Sequence, residues 1–78
     1  MESIQVTARF DAPGKIIPLR FNWRGNEYPI VSCGRNWRDE IGHHFLVMVP
    51  NEKIYELLFS IDEISWYIKI QPTASQVA

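Results

Sequence analysis

One cysteine, four glycines and no apolar run near the length of a bilayer span set the first limits on this 78-residue chain. Cys33 alone makes no internal disulfide, which fits a reducing cytosol rather than a secreted disulfide scaffold. A spanning helix needs about 20 consecutive apolar residues, and none is found. Met1-Glu2-Ser3 lacks a basic segment followed by an apolar one, so no signal peptide is expected. Gly14, Gly25, Gly34 and Gly42 stand apart from one another, so none builds a phosphate-cradling loop. No serine sits in a G-x-S-x-G elbow, which argues against a hydrolase. Net charge is also nearly absent: eight Lys and Arg against nine Asp and Glu leave −1. At about half the ~150-residue domain prior, the chain is expected to form one domain. A large enzymatic pocket is not expected in so small a core.

What is present is apolar and aromatic: 46% and 13% of the residues. Those fractions exclude a disordered chain and suit a globular protein. Apolar residues recur with period two. In Ile4 to Phe10 the even positions are apolar, which reads as a half-buried strand. Asp11-Ala12-Pro13-Gly14-Lys15 reads as a turn. Ile17, Leu19, Phe21 and Trp23 form a second stripe, with Pro18, Arg20 and Asn22 facing away. Arg24-Gly25-Asn26 signals a hairpin, and Glu27 to Cys33 a third strand. Pro18 and Pro29 lack a ladder donor and belong at edges or bulges.

The polar stretch Gly34 to Gly42 reads as a loop. His43 to Val49 is a fourth strand, and Pro50 to Lys53 a turn. Ile54 to Ser60 reads as a fifth strand. A helix stays open over 51–64, because Ile54, Leu57, Leu58, Ile61 and Ile64 also fit a helical stripe with Asn51 as N-cap. Asp62-Glu63 is a turn, and Ser65 to Gln71 a sixth strand. The expected fold is therefore all-β: a small barrel or strongly curved antiparallel sheet of five to six strands. The domain covers residues 1–72, and 73–78 form a disordered tail.

Pro18-Leu19-Arg20-Phe21-Asn22-Trp23-Arg24-Gly25, Tyr28-Pro29-Ile30-Val31, Trp37, Tyr55-Glu56-Leu57 and Trp66-Tyr67-Ile68 together resemble a small uncharacterised bacterial all-β domain family. Its pattern runs F-x-W-R-G, Y-x-V, a middle Trp, Y-E-L and a final W-x-L. The resemblance spans about residues 16–71. It implies an all-β fold and, through relatives linked to mutagenesis-type DNA polymerase homologues, an association with DNA repair or replication. Two features depart from the family: His43-His44 stands where relatives carry aromatic and basic residues, and Ile70-Gln71-Pro72 replaces an acidic ending.

Charge is unevenly spread. Residues 15–38 hold Lys15, Arg20, Arg24, Arg35 and Arg38 against Glu27, a net +4. Residues 39–78 hold Lys53 and Lys69 against Asp39, Glu40, Glu52, Glu56, Asp62 and Glu63, a net −4. Arg20, Arg24, Arg35 and Arg38 with Trp37 are the candidate ligand or nucleic-acid contacts, cations holding phosphates while indoles stack bases. The alternative pairs these arginines with the acidic half and places Trp23 and Trp37 in the core. A pI near 6.0 is far from the footprint of a basic binder.

Adjacent strand residues point to opposite faces, so His43 and His44 cannot share one metal ion. Zinc wants about four ligands, and only Cys33 and scattered carboxylates are at hand. No catalytic, metal or cofactor residue is assigned, and no cofactor is expected. Leu46, Met48, Leu58 and Val31 lie opposite the core stripes. They await either a covering loop such as 34–42 or a second subunit. The expected function is that of a non-catalytic cytoplasmic interaction or accessory module with an unknown protein partner or a second copy in a homodimer. The alternative is a weak single-stranded nucleic-acid-binding module. No membrane partner is expected.

Overall fold

The computed structural model describes residues 1–70. They form seven strands: β1 (Glu2–Asp11), β2 (Lys15–Trp23), β3 (Asn26–Pro29), β4 (Ser32–Arg38), β5 (His43–Val49), β6 (Lys53–Ser60) and β7 (Ser65–Lys69). All neighbours are antiparallel, in the order β3-β2-β1-β7-β6-β5-β4. The expected all-β curved antiparallel sheet is therefore the fold, with β6 a strand rather than a helix. The expected tail 73–78 lies outside the described residues.

Two crossings curl the sheet. β1 pairs with β7 through Glu2, Ser3 and Ile4, then with β2 from Gln5 to Asp11, and so passes from one half of the sheet to the other. At the opposite corner, the terminal strands β3 and β4 are joined by Ile30 and Val31 alone. Ile30 N–H donates to the Leu19 carbonyl at 3.0 Å, while Val31 N–H donates to the Met48 carbonyl at 2.7 Å. Two successive amides thus tie the two ends of the strand order together. The inner face closes over Phe21, Phe45, Val47, Val49, Leu57, Phe59, Trp66 and Ile68. Each such side chain stabilises the fold by about 1.5–3 kcal/mol relative to exposure.

Two departures from the sequence reading have clear causes. The strand expected over Glu27–Cys33 is two strands, because the chain changes partner at Ile30 and Val31; of the polar stretch after it, residues 34–38 belong to β4 and only 39–42 form the turn to β5. The strand count among the described residues is therefore seven, not five or six. In β2, Ala8 pairs with Pro18 and Thr7 with Arg20, which leaves Leu19 as an extra residue. This bulge shifts the phase of the strand. Pro18 and Phe21 are buried while Leu19 is exposed, so the regular stripe through Ile17 and Leu19 does not hold. Pro18 does sit at a bulge and Pro29 on an edge strand, where a missing donor is harmless.

Candidate functional site

Among the described residues, β4 ends the sheet on one side and pairs only with β5. Six of its seven residues are exposed; Trp37 is half-buried. Gly34 and Arg35 bulge out of register between the Cys33–Val47 and Asn36–Phe45 pairs. Beyond the bulge the ladder is regular, and Asp39 N–H donates to the Gly42 carbonyl at 3.0 Å. Hydrogen-bonded and non-hydrogen-bonded pairs alternate along an antiparallel ladder. The Asp39–Gly42 bond therefore makes Trp37–His44 a bonded pair, and Arg38–His43 and Asn36–Phe45 non-bonded ones. It follows that Asn36 and Arg38 turn their amides and carbonyls away from β5, toward the free edge.

The predicted contact residues divide into two groups. Arg20 pairs with Glu27 at 3.0 Å. Arg24 makes two contacts with Glu2, at 3.2 and 2.9 Å, and its guanidinium lies 4.7 Å from the centre of the Trp23 ring. Those contacts hold the Glu2 carboxyl below its ordinary range, the Arg24 hydrogen bonds contributing most and the Trp23 N–H next. Arg20 and Arg24 are thus neutralised by acids outside the 39–78 half. Arg35 and Arg38 have no ion-pair partner among the described residues, and both lie on β4. Arg38 Nη2 reaches only the Gly14 carbonyl, at 3.4 Å. The Arg35 guanidinium lies 5.4 Å from the centre of the Trp37 ring. The structure therefore brings together Arg35, Trp37 and Arg38 and separates Arg20 and Arg24 from them.

Trp37 does not stand free. It stacks on His44, centroids 5.0 Å apart and planes within 2°. His44 is 6% exposed, with Nε2 at 2.9 Å from Asp39 Oδ2 and Nδ1 at 2.9 Å from Glu56 Oε2. Both ring nitrogens therefore face carboxylate oxygens. Lys69 Nζ approaches Glu56 at 3.9 Å. The His44 hydrogen bond is the main cause that lowers the Asp39 carboxyl, joined by bonds from the Gly42 and Ile41 amides. This arrangement anchors the end of β4 to β5 and β6. It also occupies both His44 nitrogens.

His43 faces the other way. Its Nε2 lies 3.1 Å from Asn36 Oδ1, its ring stacks on Phe45 at 4.1 Å, and its Nδ1 is buried without a partner among the described residues. Burial is the first cause that pushes this histidine below its ordinary value, followed by the Arg38 and His44 charges. Cys33 is exposed on β4, with its thiol pushed up by partial desolvation. Opposite the core, Leu58 is 2% exposed and lines an open depression of about 180 Å³ with Met1, Ile41, Ser60, Glu63 and Tyr67. The turn after β4 thus helps to cover part of the second face, while Leu46 and Met48 stay half-buried and Val31 exposed.

The sequence reading missed Asn36 and the Asp39–His44–Glu56 arrangement. A signal existed for both: Asp39 and Gly42 bracket a tight turn, which places Trp37 opposite His44 and Asn36 opposite Phe45. No protein-family profile matches the chain, and neither the curated proteins nor the solved structures provide a significant match.

Proposed function

We propose that this chain is a non-catalytic interaction module that receives an extended segment of another polypeptide along the free edge of β4. One observation carries the reading: Asn36 and Arg38 present their amides and carbonyls outward from a terminal strand whose side chains are largely exposed. Such groups are a ready template for an added strand, with main-chain bonds giving affinity and neighbouring side chains giving selectivity. The bulge at Gly34 and Arg35 and the charge on this strand blunt indiscriminate pairing. A second copy is a poorer occupant of this edge than a different chain, because two β4 strands side by side bring four arginines into one seam.

Strand-forming peptides of acidic, neutral and basic composition, titrated into isotopically labelled protein, test the reading. At least one shifts the amide resonances of residues 32–38 and slows exchange of the Asn36 and Arg38 amides. Silence from all three at millimolar concentration overturns it, as do shifts confined to another segment.

A further inference from the structure

We infer that the segment accepted by β4 is acidic and carries two carboxylates an odd number of residues apart, one for Arg35 and one for Arg38. The inference rests on the docking edge proposed above and adds its chemistry. Of the four arginines in the basic stretch, Arg20 and Arg24 are bonded to Glu27 and Glu2. Arg35 and Arg38 remain without an acid among the described residues, and both are on the edge strand. A guanidinium held by one carbonyl at 3.4 Å exchanges that contact readily for a carboxylate, whose hydrogen bonds are charge-assisted.

The spacing follows from the faces of the strand. Arg38 lies directly opposite His43, which stacks on the core residue Phe45, so Arg38 stands on the inner side. Arg35 lies against Trp37, which pairs with His44 on the outer side. Directly opposite residues of neighbouring strands share a face, and successive residues of one strand alternate. A partner strand therefore meets the two arginines with side chains of opposite parity. A nucleic-acid strand would need an open aromatic face, and one face of Trp37 is already covered by His44, with Arg35 close to the ring.

Four short probes decide the matter: a Val/Thr-rich peptide with two Glu at odd spacing, its even-spaced isomer, the Gln analogue of the first, and oligothymidylate. Binding is followed through the β4 amide resonances and its dependence on salt. The odd-spaced acidic peptide is expected to bind roughly tenfold tighter than the Gln analogue, the scale of two exposed ion pairs. It should also exceed its isomer several-fold and weaken as salt is added. The exposed Arg35→Gln and Arg38→Gln substitutions together should abolish that preference while leaving Gln-peptide binding unchanged. Equal binding of the acidic and Gln peptides at β4 overturns the charge inference and leaves the docking edge standing. Equal binding of the two isomers overturns the spacing. Tighter binding of oligothymidylate at β4 replaces the acidic peptide with a nucleic acid. If no probe perturbs β4, the docking edge fails as well.

Discussion

His43 and His44 are neighbours in the chain with opposite environments, and the difference has a consequence in acid. His43 is buried beside Phe45, with Arg38 and His44 adding positive charge, and these causes depress its proton affinity in the folded state. The unfolded chain binds that proton more readily near the ordinary value of 6.5. The stability linked to His43 is thus fully present above that value and is lost as pH falls below it, down to the folded value. Asp39 follows the same direction in a lower window. Its carboxyl is lowered below 3.8 by the His44 hydrogen bond, so its contribution holds above that value and disappears as pH falls further. Melting temperatures across pH should therefore decline in two stages. Substituting His43→Gln removes the upper stage and leaves the lower one. A decline that begins only below pH 4 in the parent protein would contradict the placement of His43. Period-two alternation does assign the two rings to opposite faces. It does not reveal which ring gains carboxylate partners, because that depends on the turn at Asp39 and on Glu56 in the neighbouring strand β6.

At the scale of elements, the legible strands were those with one oily side. β1 and β7 alternate because one face of each packs on the core, and hydrophobic period reports that directly. β4 was not legible, because an edge strand with almost no burial has no apolar period to show; its only half-buried residue is Trp37. The bulge in β2 escaped for a related reason: one extra residue at Leu19 moves Ile16 and Pro18 inward while the written alternation continues unchanged. The β4–β5 turn shows how tightly the edge is fastened. A Cβ placed on Gly42 would come within 2.2 Å of the Phe59 carbonyl oxygen and 3.2 Å of the Leu58 side chain. Neither a backbone carbonyl in the sheet nor a buried leucine yields easily. Gly42→Ala should therefore cost about 1–3 kcal/mol, the range of overpacking in a dense interior. Chemical denaturation measures it, and exchange of the β4 amides should rise in step if the turn holds the edge. An unchanged midpoint would mean that the turn stands farther from β6 than described.

For the whole molecule, the consequence of small size is that one cluster carries two halves. Phe21 is 1% exposed and packs on Tyr28, in a stack with centroids 5.1 Å apart, and on Tyr55, edge to face at 6.0 Å. Trp23 adds contacts to both tyrosines at 6.1 and 5.5 Å. Tyr28 belongs to β3 and Tyr55 to β6, so these rings join strands from opposite sides of the curl across its interior. The sequence sets large rings at Phe21, Trp23, Tyr28, Tyr55 and Trp66, and such rings seldom stay in water. It could not show that four of them meet, because that contact depends on the partner change at Ile30 and Val31. A domain of this length holds roughly 3–5 kcal/mol of net stability. Truncating a buried aromatic ring costs about 3–5 kcal/mol. Phe21→Ala should therefore leave the chain mostly unfolded at room temperature. Trp23→Ala, half-buried at the rim, should cost about 2–3 kcal/mol and leave a folded but less stable protein. Calorimetry and amide spectra separate the two outcomes. Should Phe21→Ala keep a cooperative transition near the parent temperature, the two halves would be held together by the strand crossings alone, without help from the rings between them.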